Sequence, residues 1–205
     1  MKITWLGHSC FTVESQGYRI VLDPYKDGSV PGLAPVREEA DQVLCSHGHN
    51  DHHGIECVSL RQGRPSPFTV EAIDTWHDDK QGALRGSNTI HILSDGLCRV
   101  AHLGDLGCDL TPEQKDKLRH LTALLIPVGG HFTIDAAQAK RLADELSPTV
   151  VVPMHYRREG VGYDVIGTVE QFTTLCDDVA AYPGSELELT PQISKQTAVL
   201  NPKNA

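Results

Sequence analysis

None of the six cysteines, Cys10, Cys45, Cys57, Cys98, Cys108 and Cys176, stands in a CxxC pair. No thiolate pair of metal-binding or redox spacing is therefore present, and buried, reduced thiols are the default reading. Cys10 and Cys108 fall near candidate loops, where a reactive role is the lesser alternative. No apolar run approaches the ~20 residues of a membrane helix. Met1-Lys2 leads straight into the alternating Ile3-Thr4-Trp5-Leu6, without a signal-peptide core, so a cytoplasmic location is expected. Basic residues are in deficit, 18 Lys+Arg against 27 Asp+Glu for a net charge of -9. A broad nucleic-acid surface needs the opposite balance. No repeat, low-complexity tract or linker interrupts the chain. At 205 residues and 40% apolar content, one domain over residues 1–205 is expected.

Histidine, by contrast, is abundant, with eleven residues. Ser46–His53 reads SHGHNDHH, and within it His47, His49, Asp51 and His52 form H-x-H-x-D-H. The apolar Val43-Leu44-Cys45 before it reads as a strand end. Alternate residues leaving a strand point to one side, so His47 and His49 can grip one ion. Asp51 and His52 follow a turn and can face a second. A solvated surface has no reason to carry donors at this density.

The rest of the chain alternates strand and helix signals. Strands are expected at 2–6, 10–15 and 18–23, with Gln16-Gly17 as a turn and Asp23-Pro24 as a stop. Residues 24–40 read as a loop, and 42–46 as a strand. A helix is expected from Asp51 or His52 to Gly63. Strands follow at 68–76, 88–94 and 97–103, the last two joined by the hairpin signal Asp95-Gly96. Thr111-Pro112-Glu113 opens a short helix, and Ala123–Val128 is a buried strand. A helix over 134–146 is expected with Thr133 as its cap, then a strand at 150–154. A helix near 169–176 and strands near 179–189 close the chain. The pattern predicts sheet covered by helices; two sheets between helix layers is compatible with it.

Three further candidates stand at strand ends. His77 in TWHDD has a surface histidine as its alternative. Asp105 in HLGDLG has a turn or cap aspartate. His155 in PMHYR has a packed histidine orienting other ligands. Together, HxHxDH, a His, GD and a His resemble the metallo-β-lactamase-fold hydrolase superfamily across essentially the whole chain. Leu6-Gly7-His8-Ser9, Asp23-Pro24, Pro127-Val128-Gly129-Gly130 and Pro153-Met154-His155-Tyr156 are most similar to one small branch. That branch holds ascorbate-6-phosphate lactonase-like and N-acylphosphatidylethanolamine phospholipase D-like proteins. The resemblance implies an α/β (α+β) fold, a four-layer αββα sandwich with the site at one edge. It implies His47, His49 and His77 at a first metal, Asp51, His52 and His155 at a second, and Asp105 as the bridge. Because Asp105 stands where true β-lactamases often carry Cys, β-lactam hydrolysis is not expected as the main task.

The expected chemistry is that of a metal-dependent hydrolase in which two dications share a hydroxide that attacks an ester, lactone or phosphodiester. Asp51 orients that hydroxide and takes a proton. A donor set of His and carboxylate suits Zn first, with Mn or Fe as alternatives. His131, after Gly129-Gly130, is a weaker candidate for substrate contact or proton donation. His8, Arg157, Arg158 and Arg85 are candidate substrate contacts, the arginines for phosphate or carboxylate. His8 has a structural role and Arg157-Arg158 a solvated pair as alternatives. Asp78 and Asp79 are candidates for orienting the histidines. His53 is expected to be exposed, His102 to support the ligands or merely pack, and His91 and His120 to be ordinary. A small-molecule substrate is expected, nucleic acid and membrane are not, and a homo-oligomer is compatible with a sequence that marks no obligate partner. The alternative functions are a nuclease-type phosphodiesterase, which the charge disfavours, and a non-hydrolytic metal-binding or sensor protein. A flavodiiron-type redox module is disfavoured because His49 is retained.

Overall fold

The computed structural model describes residues 1–205. Strands β1 (Lys2–Gly7), β2 (Cys10–Ser15) and β3 (Tyr18–Leu22) form an antiparallel meander. Gln16-Gly17 turns the second strand into the third, with φ of 52° and 75°. Two short strands follow, β4 (Glu38–Ala40) and β5 (Gln42–Leu44), and β5 joins β3 in parallel. After a 3-10 turn at Ile55–Cys57, β6 (Val58–Leu60) pairs with β4 as a separate two-stranded sheet.

The second half holds β7 (Thr69–Trp76), β8 (Ser87–Ser94) and β9 (Arg99–His102), linked antiparallel. Helix α1 (Pro112–Lys117), strand β10 (Ala123–Pro127), helix α2 (Ala136–Leu146) and strand β11 (Val150–Met154) come next. Helix α3 (Glu170–Thr173) precedes β12 (Val179–Ala181), β13 (Glu186–Glu188) and β14 (Gln196–Val199). The first sheet runs β13-β1-β2-β3-β5 and the second β12-β14-β11-β10-β9-β8-β7. Expected strands therefore occur at their places, and β14 is an addition that the sequence reading missed.

Side-chain alternation explains how the sheets stack. Ile3, Trp5, Phe11, Val13, Ile20 and Leu22 belong to the large core shared with the second sheet. The intervening Leu6, Cys10 and Val21 face the other way, under Tyr25, Val30, Leu33 and Val36 of the 24–40 segment. Each such side chain contributes about 1.5–3 kcal/mol on burial. β10 is buried at all five positions, as a central parallel strand must be, and α2 covers it with Ala139, Ala143 and Leu146. The architecture is mixed α/β, as expected, with two facing sheets and few helices.

Three local expectations are corrected. No α-helix runs from Asp51 to Gly63: Gly54 lies against the Tyr25 backbone, where an added Cβ would stand 2.6 Å from its carbonyl oxygen. The chain is thereby held to the 24–26 segment, and Val58–Leu60 finds a strand partner instead. That partner is β4, so the 24–40 segment is not all loop. Finally, Asp135 rather than Thr133 caps α2. Its carboxylate accepts from the Gln138 amide at 2.8 Å, and Gln138 Oε1 accepts from the Asp135 amide at 3.0 Å. Asp135→Ala is expected to lower stability by about 1 kcal/mol in chemical denaturation, and Thr133→Ala by much less.

Candidate metal centre

Loops at one edge of the two sheets carry the titratable side chains. His8, Asp23, His77 and His155 each directly follow a strand, β1, β3, β7 and β11 respectively. His47 and Asp105 lie three residues beyond β5 and β9. His8, Asp23 and His155 turn off their strands with φ of 54°, 45° and 53°. Such left-handed residues are uncommon outside glycine and cost about 1–3 kcal/mol each, a strain found where function requires it.

Asp105 is the hub. It is buried, and its carboxylate oxygens lie 3.2 Å from Nε2 of His52, 3.3 Å from those of His77 and His155, and 4.0 Å from that of His47. Asn88 Oδ1 accepts from the Asp105 amide at 2.9 Å. Gly104 before it has φ of 55°, and an added Cβ would lie 2.4 Å from both Asn88 Oδ1 and Ser46 Cβ. The donor atoms fall into three groups, each within 4.8 Å: His47, His49 and His77; His8, Asp51, His52 and His155; and His47, His52 and Asp105.

All seven residues expected as metal ligands are thus gathered at one edge. His49 is the exposed member, its ring 4.6 Å from that of His47 and 5.2 Å from that of His77.

The sequence reading missed Asp23, which organises the centre from behind. It is fully buried and accepts from the Ser46 amide at 2.6 Å, from Ser46 Oγ at 2.6 Å and from His52 Nδ1 at 2.7 Å. Ser46 Oγ in turn lies 2.9 Å from His47 Nδ1. With the Ser46 proton committed to Asp23, His47 donates from Nδ1. One carboxylate therefore directs the Nε2 lone pairs of both His47 and His52 into the cluster. In the sequence Asp23-Pro24 closes an apolar strand and is one of the branch motifs, but neither signal gives Asp23 a role at the centre. His102 is a satisfied core histidine, with Nε2 2.8 Å from the Ser9 carbonyl and Nδ1 accepting from the Gly104 amide.

Electrostatics sort these groups. Burial pushes His47 down to about 3, helped by His52. It likewise pushes His8 to about 4, helped by His155, and lowers His77. Burial alone would lower His52, yet Asp105 and Asp23 on its two sides drive it well above the ordinary value. Burial opposes ionisation of Asp105 and Asp23, but His155 and His52 hold Asp105 well below the usual range, and His52 and His102 hold Asp23 at about 2.

Imidazole nitrogens and an ionised carboxylate thus converge without a lysine or arginine among them. Nε2 of His8, His47, His52 and His155 and Oδ1 of Asp105 are buried with no hydrogen-bond partner. Buried polar atoms are seldom left so. Donors ~2.1 Å from a shared tetrahedral cation stand ~3.4 Å apart, close to the 3.2–3.3 Å separations around Asp105. The donor set fits divalent metal.

Beside the cluster opens a pocket of about 310 Å³, lined by His49, Asp51, His77, Arg85, Asp105, Phe132 and Tyr163. Phe132 and Tyr163 are isolated aromatics in the sequence and carry no spacing signal. Of the expected substrate contacts, only Arg85 lines this pocket. Its guanidinium lies 5.6 Å from the Phe132 ring centre and donates to the His131 carbonyl at 3.2 Å. His131 itself is exposed, its ring against Phe132, and is not part of the lining. Arg157 and Arg158 are exposed and bond to the Ile166 carbonyl and to Asn201, away from the pocket. His8 is buried in the donor cluster and does not line the pocket. Asp78 orients no histidine; it accepts from the amides of Lys80, Gly82, Leu84 and Arg85 and so shapes the loop that presents Arg85. Asp79 is exposed and pairs with Lys80.

Two facing sheets with a buried His/Asp cluster at their edge define the class of metal-dependent hydrolases of the metallo-β-lactamase type. The profile described as "Beta-lactamase superfamily domain" matches residues 2–155, and the chain belongs to that family. It is 30% identical over 191 residues to a metal-dependent hydrolase of Carboxydothermus hydrogenoformans, covering 76% of this chain and 84% of the relative. A solved structure from Thermotoga maritima, described as a Zn-dependent hydrolase of the metallo-β-lactamase superfamily, is 33% identical. It covers 97% of both chains with a TM-score of 0.77. The short form of human tRNase Z shares the fold at 10% identity and a TM-score of 0.57. No helix is long and apolar enough to cross a membrane.

Two outcomes are expected. Asp23→Asn should weaken metal binding by about 10–100-fold in a chelator competition, because it removes the acceptor that sets two imidazoles. For metal-free protein, His8 and His47 have folded values below the unfolded 6.5, so stability is lost as pH falls from 6.5 towards about 4. His52, with a raised folded value, contributes stability that is present below 6.5 and lost as pH rises through that value. Urea midpoints measured across pH should therefore peak near 6.5; a flat profile would contradict the assignment.

Proposed function

We propose that the chain hydrolyses a small anionic ester, lactone or phosphoester with a pair of divalent metals, zinc in preference to manganese or iron. His47, His49 and His77 would hold the first, Asp51, His52 and His155 the second, and Asp105 would bridge them. The observation that carries this reading is the buried Asp105 carboxylate within 4.0 Å of four imidazole nitrogens, with no lysine or arginine among them. When bound, such a pair supplies Lewis acidity and lowers the pKa of water towards ~7. The preference for zinc rests on the His/carboxylate donors and on the Zn-dependent description of the Thermotoga maritima relative.

The protein's own groups would do the rest. Asp51, half-buried at the pocket edge, takes the proton of the attacking water. The His8 and His52 imidazoles keep its carboxylate ionised against the pull of burial. The Tyr163 hydroxyl donates its one proton to the Ser29 carbonyl at 2.7 Å and borders that carboxylate, 3.4 Å from Asp51 Oδ2. Burial holds the hydroxyl in its protonated form. Arg85 is the one cation lining the pocket and would fix a carboxylate or phosphate. Phe132 and Tyr163 offer flat apolar walls to the body of the substrate. A pocket of about 310 Å³ with a single arginine suits a small molecule better than a nucleic acid, whose backbone demands several cations.

Elemental analysis of metal-loaded protein is expected to return two divalent ions per chain. Asp105→Ala should reduce that content and abolish ester hydrolysis while circular dichroism stays unchanged; full activity in this variant would sink the reading. Arg85→Ala should raise KM for anionic substrates by about 10-fold and leave neutral esters nearly unaffected. Two bound metals with no turnover on lactone, carboxylester and phosphodiester panels would favour a metal-binding protein instead.

A further inference from the structure

We infer that His8 is a metal ligand, the fourth side-chain donor of the second position beside Asp51, His52 and His155. This rests on the dinuclear reading above and extends it by a residue outside the HxHxDH series. The His8 side chain is 1% exposed. Its Nε2 lies 3.3 Å from Asp51 Oδ2 and belongs to the same 4.8 Å donor group as His52 and His155. Neither ring nitrogen has a hydrogen-bond partner, the same condition as His155, whose ring centre is 4.1 Å away. An imidazole serving only to pack would be bonded on at least one side, as His102 and His91 are.

The backbone is built to aim this ring. β1 ends in a register shift against β2, and His8 then turns with φ of 54°. Its carbonyl accepts from Trp5 Nε1 at 2.9 Å and from the His155 amide at 3.2 Å. The two bonds lock the end of β1 to the end of β11, so both rings enter the cluster from a shared left-handed corner. The second position then offers three imidazoles and a carboxylate, against three imidazoles at the first. It should be the tighter of the two.

The test is Zn(II) binding by chelator competition on wild-type protein and on His8→Asn. Asparagine tolerates the left-handed backbone but is too short to reach the cluster. The expected result is two equivalents in the wild type, with one of them weakened by about 100-fold or more in His8→Asn. The Co(II) ligand-field spectrum should change with it, while the metal-free variant folds as before. Two equivalents of unchanged affinity and spectrum in the variant would overturn the assignment of His8 and leave the dinuclear reading standing. Fewer than two equivalents in the wild type would overturn both. Should the variant not fold, nitrogen-labelled wild-type protein loaded with cadmium decides the matter by NMR. Cadmium coupling to a His8 ring nitrogen supports the assignment, and coupling to the other histidines without His8 overturns it.

Discussion

A carboxylate buried among imidazoles that cannot hydrogen-bond it away is the constraint around which this molecule is arranged. Asp105 has no lysine or arginine to compensate it, and removing an unpaired charge from water costs several kcal/mol. Without metal, the compensating charge comes from His52, which Asp105 and Asp23 raise well above its ordinary value. The same residues that make the metal-free centre uncomfortable therefore make it selective for a divalent ion. Stability and metal binding are here two readings of one electrostatic fact.

Supporting that centre takes a second carboxylate and much strain. Asp23 reaches two of the clustered imidazoles by separate routes, directly to His52 and through Ser46 to His47. His8, Asp23 and His155 accept left-handed backbones to turn their side chains inward from strand ends. Two facing sheets, with apolar side chains interlocked between them, are rigid enough to impose such conformations. A loop scaffold would relax, and the donor atoms would separate. The loop that carries Arg85 is itself wound around the Asp78 carboxylate, so the pocket wall is as fixed as the metal face.

The residues with metal-ligand spacing were legible because their chemistry is local. HxHxDH needs only a strand end and a turn to bring its donors together, and His77, Asp105 and His155 each announce themselves after an apolar strand. What was not legible depended on partners distant in sequence. Asp23 lies 29 residues from His52, and Tyr163 lies 112 residues from Asp51. The helix expected from Asp51 onward failed for the same reason: residues 24–26 hold Gly54, and β4 recruits Val58–Leu60. His131 and the Arg157-Arg158 pair were reasonable by residue type, but the pocket lining takes Phe132 from beside His131 and neither of those arginines.

Alternation of apolar residues and turn pairs such as Gln16-Gly17 and Asp95-Gly96 determined most of the strands from the chain alone, and the His/Asp series carried the family resemblance that implied the fold class. Tertiary structure decided which histidines enter the cluster, which one is merely packed, and which arginine lines the pocket. The physical reason is that a residue's identity fixes what it can bond, while burial and the approach of another strand fix what it does bond. His8 and His102 are chemically the same side chain; only the locked ends of β1 and β11 leave one ring without a partner and give the other two.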